Sequence, residues 1–296
     1  MGRAQRFAAG SIGIGILVLA IKSAAWWLTG SAALYSDALE SIVNVAASVV
    51  ALIALRLAAK PADANHPYGH DKAEFFAAVI EGVLVVVAAL SIFGHAWETW
   101  NAPRLQLEMV VPGLALNAIG GLLNALWAAM LFRASRTLRS PALLGDARHL
   151  LADVATSIGV VGGVGLAVMT GYLVLDPLLA VATGVHVLFS GAHMIADSVG
   201  GLMDAAPQPA VVDRIRAVIA ENAEGAIEAH DLRTRIAGRV SFLDFHLVVP
   251  GAMSVAESHA ICDRIEAALK AEMDHLIVTI HVEPEAKAKH TGVPVL

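Results

Sequence analysis

The sequence predicts an α-helical membrane protein with six transmembrane helices, followed by a small α+β domain. Three observations predict this fold class. First, 57% of the 296 residues are hydrophobic and only 16% are charged, which is too apolar for an ordinary soluble protein. Second, the chain contains six long apolar stretches. Third, the hydropathy changes near Ala205, where an alternating strand pattern replaces the apolar stretches.

The six apolar stretches have the length that a bilayer requires, about 20 mostly apolar residues each. They cover roughly residues 7–29, 32–57, 74–96, 110–135, 144–171 and 176–200. In this arrangement Arg104 lies on one side, and the basic residues on the other side are Arg3, Arg6, Arg56, Lys60, Lys72, Arg133, Arg136, Arg139 and Arg148. The positive-inside rule therefore places both termini in the cytoplasm.

The segment after the sixth stretch has the pattern of a soluble α+β domain. Pro207 and Pro209 interrupt the helix, and the elements that follow are a helix, two strands, a helix and a strand at 210–222, 226–235, 239–249, 254–271 and 275–283. In the second strand alternate positions are apolar, the period of a half-buried sheet: Leu243, Phe245, Leu247 and Val249. We therefore expect a transmembrane domain at 1–204, a soluble domain at 205–285 and a disordered tail at 286–296.

Several classes of function lack their sequence signatures. The net charge of −6 is spread through the chain, which gives no basic surface for nucleic acid. Cys262 is the only cysteine, so one chain offers neither a disulfide framework nor a thiolate zinc site. There is no phosphate-binding P-loop for ATP and no His-Glu-x-x-His metalloprotease helix. We expect neither an enzyme nor a protein that binds ATP.

Two pairs of polar residues lie at membrane depth with helical spacing. Glu40 and Asn44 are four residues apart on the second span, and His149 and Asp153 repeat that spacing on the fifth. Ionisable groups at this depth normally face a protein interior or a water-filled path. The two pairs either converge into a four-ligand metal site or form interhelical hydrogen bonds that hold the bundle together.

Three further polar residues in the spans allow more than one interpretation. Lys22 in the first span either snorkels towards the membrane surface or has a functional role. Glu81 either lines the same path as Glu40 or pairs with Lys22 or an asparagine. Asp37, one turn before Glu40, is placed to assist a site without binding the ion.

The polar loop between the second and third spans carries a second set of ligand types. His66 and His70 flank Pro67 and Gly69, and these turn residues are able to bring both imidazoles and Asp63 around one ion. The alternative is an ordinary solvent-exposed loop. In the soluble domain His281 and Glu283 leave the same strand face, and other elements supply His230, His246 and His259.

These motifs together resemble the cation diffusion facilitator family, the proton-coupled divalent-metal exporters typified by bacterial zinc transporters. The resemblance covers almost the whole chain and is carried by SAALYSDALESIVNVAAS on the second span, PADANHPYGHDKAE in the loop, DARHLLADVATSIG on the fifth span and AHDLRTR in the soluble domain. It implies a transport site midway through the membrane, a loop site, and a cytoplasmic ferredoxin-like, metallochaperone-like domain that dimerises around further ions.

The resemblance also implies roles for individual residues. The transport-site positions hold Glu40, Asn44, His149 and Asp153, and the loop-site positions hold Asp63, His66 and His70. The positions of the cytoplasmic metal cluster, to which either chain of the dimer can contribute, hold His230, His246, His259, His281 and Glu283. Lys72 and Asp204 match a charge pair that interlocks the membrane and cytoplasmic domains in relatives.

The second span departs from the family pattern. Zinc exporters in this family usually have Asp or His followed by Asp, whereas this chain has Glu40 and Asn44. An amide binds a metal through its carbonyl oxygen but supplies no negative charge. The donor set fits zinc, and its oxygen character leaves iron(II), cobalt, nickel, manganese and cadmium open.

We therefore expect a homodimeric exporter in the lipid of the bacterial inner membrane, which exchanges cytoplasmic divalent metal, foremost Zn²⁺, for external protons. Such an ion serves as substrate and as regulatory ligand. His149 binds the metal when neutral and becomes protonated on release. The alternative is a membrane-anchored metal sensor or scaffold with an inactive transport site, which Asn44 favours.

Overall fold

Six long helices form the first part of the protein. The computed structural model describes residues 3–102, 105–138, 141–290 and 292–294. The helices are α1 (Arg3–Thr29), α2 (Ala32–Ala58), α3 (Ala73–Asn101), α4 (Leu107–Leu138), α5 (Pro141–Thr170) and α6 (Leu175–Leu202). Each is long and apolar enough to cross a membrane. The six predicted spans are therefore confirmed.

The second part contains two helices and a sheet. Its elements are α7 (Pro209–Asn222), β1 (Glu228–Ala237), β2 (Val240–Val249), α8 (Val255–Glu272), β3 (Leu276–Pro284), a 3₁₀ turn (Glu285–Lys287) and β4 (Val293–Pro294). The chain divides into two compact units, residues 1–54 with 77–196 and residues 55–76 with 197–296. The predicted domain boundary between 204 and 205 stays a prediction.

The start of α2 is held by a carboxylate from α6. Asp176 accepts hydrogen bonds from Ser31 Oγ at 2.5 Å and from the backbone N–H groups of Ala32 at 2.8 Å and Ala33 at 3.1 Å. The first N–H groups of a helix have no acceptor within it, and an anion suits the positive end of the helix dipole. This cap fixes one end of the helix that carries Glu40 and Asn44.

A buried ion pair joins four of the transmembrane helices. Lys22 Nζ lies 2.6 Å from Asp37 Oδ1 and 2.8 Å from Ser157 Oγ, and Asn117 Nδ2 donates to Asp37 Oδ2 at 2.7 Å. Lys22 and Asp37 are 1% and 0% exposed. Because a charge at membrane depth needs a partner, these contacts tie α1, α2, α4 and α5 together. Lys22 therefore pairs with Asp37 and does not snorkel. The partner of Lys22 in this ion pair is Asp37, not Glu81.

The sheet of the second part has the strand order β3-β2-β1-β4. Strands β1 and β2 are antiparallel, whereas β2 and β3 are parallel and are connected through α8. Residues on one face of β2 pack with α7 and α8 into a core that includes Leu243, Phe245, Leu247, Ile215, Ile219 and Ile265. The predicted alternation in β2 therefore places its apolar side chains on the helix-covered face, and the α+β fold class is confirmed.

Part of the segment predicted to be disordered, 286–296, contacts β1. Within the described residues, β4 pairs with β1 through Ala229 opposite Val293 and Glu228 opposite Pro294. The Glu228 carboxylate also accepts backbone hydrogen bonds from Lys289 at 2.6 Å and His290 at 2.9 Å. These contacts form because β1 offers the described tail residues a strand edge and a buried acceptor. The prediction of a disordered tail stays a prediction.

Candidate metal sites

The two predicted membrane pairs meet across α2 and α5. Asn44 Nδ2 donates to Asp153 Oδ2 at 2.6 Å, and His149 Nε2 lies 2.9 Å from Asn44 Oδ1. Both pairs are four residues apart, so each helix presents its two polar side chains on one face. The amide of Asn44 therefore bridges the two predicted ligands of α5.

This bridge determines which nitrogen of His149 carries a proton. Asp153 in its ionised form only accepts hydrogen bonds, so the Asn44 amide nitrogen faces it and the Asn44 oxygen faces His149. Nε2 of His149 must then be the donor of the second hydrogen bond. Nε2 is thus protonated in this arrangement, and both the nitrogen and the oxygen of the Asn44 amide are engaged.

Glu40 lies beside the bridge rather than in it. Its Oε2 accepts a hydrogen bond from Thr156 Oγ1 at 3.2 Å. Glu40 shares a cavity of about 140 Å³ with the other polar residues, which are Asn44, Glu81, His149, Asp153, Thr156, His186 and Ser190. Thr156 was not among the predicted site residues, although a hydroxyl one turn after Asp153 is a signal that the sequence contains. Glu81 lines this cavity, as one of its two interpretations expected.

The buried ion pair of Lys22 and Asp37 lies one turn from this cavity along both helices. Asp37 precedes Glu40 by three residues, and Ser157 follows Asp153 by four. Since Asp37 bonds both Lys22 and Ser157, it holds α2 and α5 together next to the polar cavity. Its position is that of a support, not of a ligand.

The loop residues Asp63, His66 and His70 are brought together within the second compact unit. Their ligand atoms lie within 4.8 Å of one another, with Asp63 carboxylate oxygens 3.3 Å from His66 Nδ1 and 3.5 Å from His70 Nε2. Gly69 has a φ of +88°, which lets the chain turn sharply before His70. Nδ1 of His70 is buried and has no hydrogen-bond partner among the described residues.

Asp63 is prepared for a cation by the backbone. Its Oδ1 accepts the N–H groups of His66 at 2.8 Å and Asn65 at 2.9 Å, an arrangement typical of an Asx turn. The His66 hydrogen bond is the main reason that the pKa of Asp63 lies below its ordinary value. The loop therefore offers an ionised carboxylate and two imidazoles, a donor set that fits zinc.

A second three-residue cluster lies on the strands of the second part. Ligand atoms of His230, His246 and Glu283 lie within 4.8 Å of one another, with Glu283 oxygens 3.3 Å from His230 Nε2 and 3.4 Å from His246 Nδ1. The register explains why the histidines adjoin, because His230 pairs with His246 across β1 and β2, and His246 pairs with His281 across β2 and β3. Glu283 is two residues beyond His281 and therefore leaves the same face of β3. Nε2 of His230 is buried without a hydrogen-bond partner among the described residues.

The other two predicted members of this cluster differ from each other. The ring of His281 is tilted by 57° against that of His246, with ring centroids 4.9 Å apart, and its Nε2 lies 3.8 Å from Glu283. His259 is on α8, where it faces Asp263 at 3.6 Å. Because α8 covers the opposite face of the sheet from His246, the described part of one chain does not bring His259 to the cluster. Its contribution to a partner chain's cluster stays a prediction.

Two carboxylates next to this cluster were missed by the sequence analysis. Glu228 Oε1 lies 2.9 Å from His230 Nδ1, and Asp231 Oδ2 lies 4.0 Å from His246 Nδ1. The backbone N–H of Lys289 is the main cause of a pKa of Glu228 below its ordinary value. The spacing of Glu228 and His230 on one strand is the signal that was available, because residues two apart share a face.

The predicted charge pair is present as a direct contact. Lys72 Nζ lies 2.9 Å from Asp204 Oδ1, and Arg235 Nη1 lies 3.5 Å from the same oxygen. The hydrogen bond from Lys72 is the main cause of a pKa of Asp204 below its ordinary value. Its interlocking role stays a prediction.

Family models match both parts of the chain. The cation efflux transmembrane domain matches residues 10–203, and the cation efflux protein cytoplasmic domain matches residues 207–285. The chain belongs to the cation efflux, or cation diffusion facilitator, family. It is therefore an integral membrane protein of a family of metal transporters, and it carries that family's dimerisation domain.

This cation efflux protein aligns with individual relatives over nearly the full length of each relative. An uncharacterized transporter of Synechocystis sp. is 42% identical over 281 residues, which are 95% of this chain and 90% of the relative. The cation-efflux pump FieF of Serratia proteamaculans is 30% identical over 272 residues, 90% and 88% of the two chains. A solved zinc form of CzrB, described as a candidate zinc transporter, is 50% identical over 28% of this chain and 96% of that one, with a TM-score of 0.28.

Proposed function

We propose that this protein exports divalent metal ions, foremost Zn²⁺, from the cytoplasm in exchange for protons. One observation carries the proposal: α2 and α5 bring Glu40, Asn44, His149 and Asp153 to one cavity at membrane depth. Such a concentration of carboxylate and imidazole is costly in a membrane and is typical of an ion pathway.

The hydrogen bonds of Asn44 suggest how binding proceeds. An ion that enters the cavity replaces Asn44 as the partner of both Asp153 Oδ2 and His149 Nε2. Imidazole binds a metal only through an unprotonated nitrogen, so the proton on Nε2 leaves or moves to Nδ1. Protons that arrive from outside then compete with the metal for the same atoms and favour its release.

Charge balance supports a doubly charged substrate. Ionised Glu40 and Asp153 together neutralise two positive charges, while Asn44 contributes a neutral oxygen. One nitrogen and up to three oxygens are acceptable to Zn²⁺ and also to Fe²⁺, Co²⁺, Ni²⁺, Mn²⁺ and Cd²⁺. Zn²⁺ is proposed first because tetrahedral coordination by imidazole and carboxylate suits it.

The loop and cytoplasmic clusters lie outside the proposed pathway. We assign them a regulatory role, in which metal bound to a cytoplasmic homodimer favours one arrangement of that dimer. A sensor or scaffold without transport is the second candidate, and the bond between Asn44 and Asp153 favours it because that bond occupies a predicted ligand.

Zinc uptake into proteoliposomes tests the proposal and separates the two candidates. The parent should accumulate Zn²⁺ when a pH gradient is applied. Its uptake of each of the other metals should be slower than its uptake of Zn²⁺. Asp153→Ala should abolish uptake, whereas Glu108→Ala should not. Glu108 is a matched control because it is an exposed acid of α4 outside the cavity. Parent vesicles that bind Zn²⁺ but accumulate none would favour the sensor.

A further inference from the structure

The C-terminal tail contacts residues next to the cluster of His230, His246 and Glu283. We call its residues 289–294 the tail strap, of which 289, 290 and 292–294 are described. The strap pairs with β1, the strand that carries His230, and it touches the two carboxylates that flank the cluster. No part of the proposed transport pathway involves these contacts.

Glu228 connects the strap to His230. Its side chain is buried, and a buried carboxylate requires hydrogen-bond donors. The donors are the backbone N–H groups of Lys289 at 2.6 Å and His290 at 2.9 Å, together with His230 Nδ1 at 2.9 Å. Two of the three donors therefore come from the strap, and the third is the proposed ligand itself.

The bond to Glu228 prepares His230 for a metal. An ionised carboxylate accepts but does not donate, so Nδ1 of His230 carries the proton and a neutral ring presents its lone pair at Nε2. Nε2 is the buried atom that faces Glu283 at 3.3 Å and lacks a hydrogen-bond partner in the described part of the chain. A carboxylate behind a ligating histidine fixes ring orientation and raises its basicity.

A glycine lets the strap approach β1 closely. A Cβ on Gly292 would collide with the backbone oxygen of Ala229 and lie 3.0 Å from His230 Cβ. Lys289 adds a second attachment, since its Nζ lies 2.6 Å from Asp231 Oδ2. Asp231 in turn lies 4.0 Å from His246 Nδ1, so the strap contacts both carboxylates that lie next to the cluster.

We propose that docking of the tail strap and metal binding at His230, His246 and Glu283 are coupled, with Glu228 as the positioning residue between them. A docked strap supplies the donors that hold Glu228 against His230. Metal bound to His230 in turn favours the docked strap, because coupling between two binding events is reciprocal. The inference rests on the proposed metal binding by this cluster and adds a conformational control to it.

Zinc titration of the full-length protein in detergent tests the coupling. The background carries Asp63→Ala and Asp153→Ala, which removes ligands of the other two sites, and a competing chelator reports affinity. Gly292→Ala, Glu228→Gln and removal of residues 289–296 should each weaken Zn²⁺ binding about tenfold or more, the usual effect of losing a support behind a metal ligand. Gly251→Ala is the matched control, because its Cβ would approach no atom nearer than Glu285 Oε1 at 3.9 Å.

Hydrogen exchange on the background protein gives a second readout that needs no substitution in the strap. Zn²⁺ should slow exchange of the Lys289 and His290 amides, and His246→Ala should remove that effect. Parent-like affinity in the Gly292→Ala and truncated proteins, or strap exchange that is unchanged by Zn²⁺, would overturn the coupling. If His246→Ala also binds Zn²⁺ like the parent, the cluster itself is wrong; if only His246→Ala loses binding, the cluster stands and the strap proposal fails.

Discussion

Asn44 donates a 2.6 Å hydrogen bond to Asp153, a residue that lies on a different transmembrane helix and 109 positions further along the chain. The same amide faces His149 through its oxygen. A carboxylate in place of this amide would repel Asp153 instead of bonding to it. The identity of residue 44 therefore affects both the resting arrangement of the cavity and the charge available to an ion.

We predict that Asn44→Asp tightens metal binding and changes the ranking of metals. The substitution adds a negative charge next to the bound ion and removes the donor that engages Asp153. Release should slow as a consequence, so the maximal flux should fall while the apparent affinity rises. Flux measured over a concentration series for each metal checks this. An unchanged affinity and ranking would remove Asn44 from the ligands.

We predict that Lys22→Met destabilises the membrane part by about 3–5 kcal/mol, the usual effect of leaving one member of a buried ion pair alone. Asp37 is then buried with Ser157 and Asn117 but without its positive partner. Adding Asp37→Asn to Lys22→Met should restore part of the loss, since it removes the unpaired charge. Thermal unfolding in detergent provides the measurement. If the Lys22→Met protein is as stable as the parent, the ion pair does not hold the helices together.

We predict that Asp204→Asn lowers thermal stability near neutral pH and that the difference from the parent disappears in acid. The pKa of Asp204 lies below its ordinary value of 3.8 because Lys72 donates to it. A lowered pKa contributes stability that is complete above the ordinary value and is lost as pH falls through the folded one. The effect should be small, because the Asp204 side chain is 43% exposed. A difference that stays constant with pH would contradict this origin.

We predict that the double change His246→Ala with His281→Ala reduces metal-induced closure of the cytoplasmic dimer and weakens activation at low metal, yet retains flux at saturating metal. The two rings contact each other across β2 and β3, outside the membrane helices. Distances between labels on the two cytoplasmic domains, with and without Zn²⁺, are the measurement. Identical closure in the variant and the parent would reject the regulatory role.

The sequence predicted the elements of the cavity because helical spacing is a local property. His149 and Asp153 are four residues apart, so their common face follows from the helix alone. Both alternatives for these pairs, a metal site and interhelical hydrogen bonds, stay open, because the contacts with Asn44 fit either one. Which atom of the amide faces which ligand depends on the packing of two helices, and spacing along one helix carries no such information.

Glu228 illustrates what remained hidden. Its two backbone donors are 61 and 62 residues away. Every residue type except proline has a backbone N–H, so the sequence does not indicate which N–H groups will bond to Glu228. The contacts of tail residues 289, 290, 293 and 294 were hidden for the same reason, since they depend on an acceptor and a strand edge supplied by β1. His259, by contrast, was assigned from family resemblance, and the placement of α8 separates it from the cluster within one chain.

Simultaneous recording of Zn²⁺ and proton fluxes in the same proteoliposomes tests the central claim most directly. One dye inside the vesicles reports Zn²⁺ and a second reports pH, for the parent and for the His149→Ala and Glu108→Ala variants. The account predicts that each Zn²⁺ movement in the parent and in Glu108→Ala is accompanied by protons in the opposite direction, and that both signals vanish in His149→Ala. Zinc flux without proton counterflow in the parent, or normal flux of both in His149→Ala, would contradict it.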